Sequence, residues 1–201
     1  MGRMSSTAPQ PARRALVVVD VQPTFCEGGE LPTEGANAVA HRVAAYAAAH
    51  RDRYALVVTT QDWHIDPGEH FSDEPDFVTS WPRHGVAGTP NAELHPALAG
   101  LRPDARIKKG QYAHGYSGFE GADERGRDLA SVLAEDGVTD VDVVGLVESH
   151  CVKHTALDAR RTGLGARVLT DLTVPVSPEQ GETAERELRA AGVELVDSAA
   201  L

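Results

Sequence analysis

Three side chains that could together activate a nucleophile lie where predicted strands end: Asp20, Lys109 and Cys151. A cysteine nucleophile needs a base that takes its proton and a positive charge that stabilises the thiolate. Asp20 would be the base, and Lys109 would stabilise both the carboxylate and the thiolate. Cys151 also opens a predicted helix, whose partial positive charge favours the thiolate. Each residue alone has an ordinary structural explanation, but their common position at strand ends indicates a catalytic triad.

A second group of side chains has the composition of a metal site. Asp62 and His64 follow the second predicted strand and point to the same side if the chain stays extended. His84 comes later in the chain, and His70 lies between them. An aspartate and two histidines with open coordination positions are typical of a mononuclear iron, manganese or zinc site. With nine histidines in 201 residues, chance clustering is the competing interpretation.

Short β-branched runs alternate with helical stretches, which predicts an α/β domain. Runs that are apolar at consecutive positions, such as residues 16–19, suit strands buried on both faces and hence a parallel sheet. Six strands with helical crossovers predict a three-layer α/β/α fold with a six-stranded parallel sheet, whose carboxyl edge binds ligands. The predicted strands are 15–20, 55–60, 105–108, 141–147, 166–170 and 193–196, and the predicted helices are 35–50, 127–137, 151–163 and 179–191.

Two long segments, 61–104 and 110–126, interrupt this alternation. Connections longer than about 12–15 residues in a compact domain are usually functional or disordered. These two hold most of the aromatic residues, which predicts that they form the walls of a pocket beyond the strand ends. The aromatic residues are Trp63, Phe71, Phe77, Trp81, Tyr112, Tyr116 and Phe119.

The composition excludes some classes of protein. A formal charge of −11 argues against a nucleic-acid-binding surface, which needs a basic face. No apolar run approaches the roughly 18 residues of a membrane span. Two cysteines do not make a disulfide framework, so we expect a reduced, cytoplasmic setting. We expect residues 1–14 to be a disordered tail and residues 15–201 to form one domain, while the oligomeric state, homo-oligomers included, stays open.

Several ordered motifs give the chain a specific resemblance. From about residue 15 to 197 it resembles the nicotinamidase/pyrazinamidase family within the isochorismatase-like cysteine hydrolases. The motifs are VDVQ (19–22), FCEGG (25–29), QDWH (61–64), DPGEHFS (66–72), SWPRH (80–84), KG (109–110), YSGFE (116–120) and HCV (150–152). The resemblance implies a six-stranded parallel sheet between helices, and its triad falls on the same Asp20, Lys109 and Cys151.

The resemblance also implies the rest of the site. It places one divalent metal ion, which would be zinc, iron or manganese, on Asp62, His64 and His84, with His70 a ligand in some members. It implies a cis peptide bond between Leu146 and Val147, and an oxyanion hole formed by the backbone amides of Val147 and Cys151. The residues that it implies for contact with an aromatic substrate are Phe25, Trp81, Tyr116 and His150.

The implied reaction is hydrolysis of nicotinamide, and of aromatic amides such as pyrazinamide, to the acid and ammonia through a cysteine thioester. Such an enzyme serves NAD salvage and pyridine nucleotide biosynthesis. The nearest alternative is another amidohydrolase of the superfamily that acts on a carbamoyl or ureido substrate. An iron-dependent oxygenase and a non-catalytic binding protein on the same fold are alternatives of other classes.

The chain departs from the family pattern at a few positions near the expected pocket. Pro23 and Thr24 precede Phe25, and Thr24 stands where nicotinamidases commonly have aspartate. Ser149 stands where aspartate usually comes two residues before the cysteine. We expect Ser149 to cap the helix of Cys151 as aspartate would. Because neither Thr24 nor Ser149 belongs to the triad, these departures bear on the substrate more than on the reaction class.

Overall fold

The computed structural model describes residues 12–201, which form a six-stranded sheet with helices on both faces. The strands are β1 Arg14–Val19, β2 Leu56–Asp62, β3 Ala105–Lys109, β4 Asp140–Leu146, β5 Gly165–Val174 and β6 Glu194–Val196. All neighbouring strands are parallel, as predicted, and they lie across the sheet in the order β3-β2-β1-β4-β5-β6. The helices are α1 Ala36–Ala49, α2 Leu129–Glu135, α3 Lys153–Arg161 and α4 Pro178–Ala190.

Most of the expected N-terminal tail, residues 1–11, lies outside the described residues. Arg14, which we assigned to that tail, instead begins β1 and pairs with Asp140 of β4. Among residues 12–201, no helix combines the length and the apolar character that a membrane crossing requires.

The central strand β1 shows why the sheet is covered on both faces. Leu16 and Val18 belong to a buried cluster that contains the apolar side of α1, whereas Val17 and Val19 belong to one that contains residues of α2, α3 and α4. Successive side chains of a strand point to opposite faces, so a run of consecutive apolar residues needs cover on each side. Burying each such side chain contributes roughly 1.5–3 kcal/mol, which makes the three-layer arrangement stable.

The chain segment around the cysteine differs from the expected helix start. Cys151 does not open an α-helix; it lies in a π-helical turn, Glu148–Val152, and α3 begins at Lys153. The amide of Val152 donates to the carbonyl of Val147 at 3.3 Å, a bond that spans five residues instead of four. Single π-helical turns occur frequently at functional sites. This turn connects the end of β4 to α3 at the carboxyl edge of the sheet.

Candidate active site

The carboxyl edge of the sheet brings the three predicted catalytic residues together. The Nζ atom of Lys109 lies 2.9 Å from Oδ2 of Asp20 and 3.6 Å from Sγ of Cys151. An oxygen of Asp20 also lies within 4.8 Å of the Cys151 sulfur. All three residues are buried. They come from the ends of β1 and β3 and from the turn after β4, which are far apart along the chain but meet at this edge of the sheet.

Asp20 has the environment of a base rather than of a permanently ionised carboxylate. Burial raises its pKa, an effect that the neighbouring Lys109 ammonium partly opposes. The hydroxyl of Thr60 donates to Oδ1 of Asp20 at 2.6 Å. The backbone of Asp20 is left-handed, with φ of 46°, which is unfavourable for a residue with a side chain. Such strain is found where the surrounding structure holds a side chain in a required place.

The thiol of Cys151 is held in its protonated form, contrary to the expectation from a helix N-terminus. Burial raises its pKa well above the usual value; Lys109 opposes this rise, and the charge of Asp20 adds to it. The physical reason is that Cys151 lies in a buried turn next to carboxylates rather than at an exposed helix start. A thiolate at Cys151 therefore needs a proton acceptor within reach, and the nearby Asp20 carboxylate has the position for that role.

Lys109 does more than the sequence indicated, because it contacts both groups of side chains. Its ammonium also bonds to Oδ1 of Asp62 and donates to the carbonyl of Gly115 at 3.0 Å. Its pKa is raised well above the usual value, because the charges of Asp20 and Asp62 outweigh the effect of burial. Asp62 and Lys109 are directly paired in the register of β2 and β3. The contact between their side chains could have been predicted if the pairing of these two strands had been known.

The histidines expected to hold a metal form one buried group, and His70 belongs to it. Ring nitrogens of His64, His70 and His84 all lie within 4.8 Å of one another. Oδ2 of Asp62 lies 3.6 Å from Nε2 of His64 and 3.7 Å from Nε2 of His84. The buried atoms His64 Nε2 and His70 Nδ1 have no hydrogen-bond partner among the described residues. Buried polar atoms are normally paired, so these two point to a ligand that completes them.

Contacts behind the histidines favour the protonation state that a metal needs. Nδ1 of His64 lies 2.6 Å from the carbonyl oxygen of Gly110, and Nδ1 of His84 lies 2.7 Å from that of Pro82. A carbonyl accepts only, so each Nδ1 carries the proton and each Nε2 offers its lone pair. Burial lowers the pKa of His84, and it lowers the pKa of His70 to about 4, so both rings are neutral near pH 7. One carboxylate and three imidazoles fit a divalent zinc, iron or manganese ion.

Gly110 explains why a glycine follows Lys109. Its φ is 69°, and a Cβ atom at this position would lie 2.5 Å from Cε1 and 2.8 Å from Nδ1 of His64. Any side chain would therefore push the histidine ring out of place. The same residue supplies the carbonyl that orients the ring, so its backbone must approach His64 closely.

A cavity of about 420 Å³ opens over these two groups. Cys151, Asp62, His70 and His84 lie on its wall. The expected substrate contacts Phe25, Trp81, Tyr116 and His150 line it, as does Val147. The Leu146–Val147 peptide bond is cis, as expected.

The aromatic side chains around the cavity support one another. Nε1 of Trp81 donates to the hydroxyl of Tyr116 at 3.0 Å. The ring of Phe25 packs against His84 with a centroid distance of 5.9 Å. The ring of His150 meets Trp81 nearly at a right angle, with centroids 5.5 Å apart. A flat aromatic ligand would therefore meet preformed walls.

Thr24 supports the cavity from behind. Its hydroxyl donates to Oε2 of Glu30 at 2.8 Å and accepts from the amide of Gly85 at 3.0 Å. Gly85 follows His84, so Thr24 anchors the segment that carries this histidine. Glu30 itself lies on the cavity wall and is held further by the side-chain amide of Asn91 at 2.8 Å.

Ser149 does not cap a helix, and the expectation that it would is wrong. Its Oγ accepts from the amide of Val176 at 3.2 Å and lies 3.0 Å from Nδ1 of His150. The turn after β4 folds back toward the segment between β5 and α4, so this hydroxyl faces that segment instead of the helix amides. Since no other acceptor for the hydroxyl proton is present among the described residues, the hydroxyl donates to Nδ1 of His150. Nε2 of His150 then carries its proton at the cavity wall.

Replacing Ser149 with alanine should release the ring of His150 from this tautomer. We expect the ring-nitrogen NMR signals of His150 to change from a protonated Nε2 with an unprotonated Nδ1 to a mixture of both tautomers. Ser149→Thr keeps the hydroxyl and should keep the wild-type signals. Unchanged His150 signals in Ser149→Ala would contradict the assigned hydrogen bond.

Comparison with known proteins agrees with this geometry. The isochorismatase domain matches residues 14–200. The nicotinamidase/pyrazinamidase of Mycobacterium tuberculosis is 51% identical over 185 residues, which cover 92% of this chain and 99% of that protein. The crystal structure of the pyrazinamidase of Pyrococcus horikoshii in complex with zinc is similar with a TM-score of 0.80 and 35% identity, covering 92% of this chain and 99% of that one.

A structure from L. infantum in complex with nicotinate is similar with a TM-score of 0.81 and 33% identity, over 94% of this chain and 95% of that one. The family match spans nearly all of the described residues, and the sequence relative is matched over almost its whole length. The chain therefore belongs to the isochorismatase domain family and, within it, to the nicotinamidase/pyrazinamidase family.

Proposed function

We propose that this protein is a nicotinamidase that hydrolyses nicotinamide, and aromatic amides such as pyrazinamide, to the acid and ammonia. The observation that carries the proposal is one cavity wall on which Cys151, backed by the buried Asp20 and Lys109, lies beside Asp62, His70 and His84. The relatives named nicotinamidase or pyrazinamidase, and the similar L. infantum structure in complex with nicotinate, support the choice of substrate.

Substrate orientation comes first in the proposed reaction. Phe25 and Trp81 contact the faces or edges of the aromatic ring, and the carboxamide is directed toward Cys151. Asp62, His64 and His84, together with His70, would hold one divalent metal ion, which would supply a Lewis-acidic point for the ring nitrogen. Zinc is supported by the Pyrococcus horikoshii complex, while iron and manganese suit the same ligands. Fixing the ring relative to the thiol makes attack effectively intramolecular.

Acylation follows from the burial of the triad. Asp20 accepts the proton of the Cys151 thiol, and the sulfur attacks the amide carbon to form a tetrahedral intermediate. The backbone amides of Val147 and Cys151 donate to its oxyanion, an effect worth several kcal/mol for aligned donors. Lys109 balances the negative charge as it moves from carboxylate to sulfur. Asp20 then returns the proton to the leaving nitrogen, and ammonia departs.

Hydrolysis of the thioester uses the same carboxylate. Asp20 accepts a proton from water, the hydroxide attacks the thioester carbon, and the carbon–sulfur bond breaks. The thiolate regains the proton from Asp20, so the enzyme returns to its starting state and the acid is released. One buried carboxylate with a raised pKa thus serves as base and acid in turn.

We further propose one domain that includes β1 from Arg14 and extends to residue 201, a cytoplasmic setting and a role in NAD salvage. Both cysteines are free and buried, which suits a reducing compartment. The expected partner is the small aromatic substrate.

The proposed function is tested by ammonia release from nicotinamide, pyrazinamide, benzamide and a panel of carbamoyl and ureido compounds, with elemental analysis of the purified protein. We expect the highest kcat/KM for the two ring-nitrogen amides and about one divalent ion per chain. Benzamide, which has no ring nitrogen, should be much slower. A preference for a carbamoyl or ureido compound would replace nicotinamidase with another amidohydrolase activity.

Replacing His64 with alanine should remove the metal and raise KM for nicotinamide sharply, by about tenfold or more, because each ligand strongly affects affinity. His50→Ala is the matched control, since His50 lies outside the cavity wall. Metal content and KM are measured together. Wild-type values of both in His64→Ala would show that the cluster does not hold the ion.

A further inference from the structure

The outer part of the cavity is apolar and is not used by the chemistry proposed above. Its residues line the same cavity as Cys151 and belong to neither the triad nor the histidine cluster. They are Leu31, Pro32, Phe77 and Val176. Phe77 and Val176 are also exposed to solvent, at 59% and 47%. Large apolar side chains exposed together at a cavity opening indicate a binding surface.

Phe77 is held in an unfavourable backbone conformation. Its φ is 55°, a left-handed value that is uncommon for a bulky residue. Its ring meets that of Trp81 nearly at a right angle, with centroids 5.9 Å apart. The residue gains little burial in return, so contacts within the folded chain alone do not account for its position. Strained residues of this kind cluster at ligand-binding positions.

A dense hydrogen-bond turn fixes Phe77 in this position. Oδ1 of Asp76 accepts from the amides of Val78, Thr79 and Ser80 at 2.8–2.9 Å. The amide of Phe77 donates to the carbonyl of Ser80 at 3.1 Å. These bonds also lower the pKa of Asp76, so it stays ionised and the turn persists at neutral pH. The Phe77 side chain is therefore presented on a preformed turn.

The same turn is attached to the aromatic walls around the substrate. Trp81 follows it directly, and the hydroxyl of Tyr116 donates to the carbonyl of Val78 at 3.4 Å. A ring held by Trp81 and Tyr116 thus lies beside the turn that carries Phe77.

The two anchors of a nicotinamide ring define which edge meets these residues. The ring nitrogen and the ring carbon that bears the carboxamide are in a 1,3 relation, with C2 between them. Lys109 contacts both Asp62, a proposed metal ligand, and Cys151. The anchor for the ring nitrogen and the anchor for the carboxamide are therefore neighbours in the protein. A ring anchored at both points would have C2 facing inward, and C5, on the opposite side of the ring, would face the cavity opening.

We propose that Phe77, together with Val176 and Leu31, forms an outer subsite for an apolar substituent at C5 of the aromatic amide. The substrate class of this enzyme then includes 5-alkylnicotinamides. The proposal rests on the proposed nicotinamidase function and extends it. Burying one methylene contributes about 0.8 kcal/mol, which corresponds to about a threefold to fourfold gain in kcat/KM per added carbon.

The test compares nicotinamide, 5-methylnicotinamide and 5-ethylnicotinamide in the wild type, Phe77→Asn, Phe77→Leu and the control Val78→Ala. Asparagine tolerates the left-handed backbone but is polar, whereas leucine keeps an apolar side chain. We expect kcat/KM to rise with each carbon in the wild type, in Phe77→Leu and in Val78→Ala. In Phe77→Asn the ratio of kcat/KM for each 5-alkyl compound to kcat/KM for nicotinamide should fall to about one, even if kcat/KM for nicotinamide itself changes.

Binding of the products provides a second readout that does not depend on turnover. Calorimetry on Cys151→Ala should show that 5-ethylnicotinate binds about tenfold more tightly than nicotinate, and that adding Phe77→Asn removes the difference. Rejection of the 5-alkyl compounds by the wild type, or an unchanged ratio in Phe77→Asn, would overturn the subsite. Absence of nicotinamide hydrolysis in the wild type would instead overturn the function on which the subsite rests.

Discussion

Replacing Cys151 with alanine should lower kcat for nicotinamide by at least about 10³-fold, because the proposed thioester needs its sulfur. Cys151 is the cysteine on the cavity wall, 3.6 Å from the Lys109 ammonium. The variant should keep its metal and still bind nicotinate, since Cys151 does not contribute to the histidine cluster. Ammonia release, metal content and nicotinate affinity check these three statements.

Cys26→Ala is the matched control for this substitution. Cys26 is also a buried free cysteine, but its sulfur donates to the carbonyl of Gln22 at 3.4 Å and it does not line the cavity. We expect it to keep wild-type turnover. Retained hydrolysis in Cys151→Ala, or loss of hydrolysis in Cys26→Ala alone, would remove the nucleophile assignment.

Replacing Lys109 with methionine should both abolish turnover and destabilise the fold. The lysine neutralises two buried carboxylates, Asp20 and Asp62. Removing one partner of a buried ion pair typically costs about 3–5 kcal/mol, because the remaining charge is uncompensated. Turnover should fall by about 10³-fold or more, since the carboxylate and the developing thiolate lose their shared cation. Kinetics measure the loss of turnover, and thermal unfolding of the metal-free protein measures the loss of stability.

The stability penalty in Lys109→Met should grow as the pH rises. Without the ammonium, the pKa of Asp20 rises further above its unfolded value, because burial already raises it. Between the unfolded and folded pKa values the folded state binds more protons, so the free energy of unfolding falls with increasing pH. The deficit relative to the wild type should therefore be larger at pH 8 than at pH 5.

Lys108→Met provides the control for these measurements. Lys108 is the neighbouring lysine, but its ammonium lies over the ring of Trp63, 3.5 Å from the centroid, rather than at the triad. We expect nearly wild-type turnover and a small, pH-independent change in stability. An equal loss in both lysine variants would mean that the effect comes from the strand and not from the buried charges.

The predicted alternation of strands and helices agreed with the structure to within a few residues for most elements, because it depends on local periodicity. The run at residues 16–19 predicts a strand buried on both faces whatever the rest of the chain does. The glycines after α3 and α4, Gly163 and Gly192, both have positive φ, a common way for a helix to end. Strand β5 extends further than predicted, to Val174, because Thr173 and Val174 pair with β4 beyond an irregularity in the register.

Asp20, Lys109 and Cys151 were predictable by the sequence alone as a group, because parallel strands end at one edge and each residue lies at such an end. What the tertiary structure decided was how these groups interact. The contact of Lys109 with Asp62, the raised pKa of the Cys151 thiol, the position of His70 and the left-handed backbone of Phe77 depend on packing between distant segments. Local patterns specify the elements, whereas burial and charge at the site arise only when long connections fold over the sheet edge.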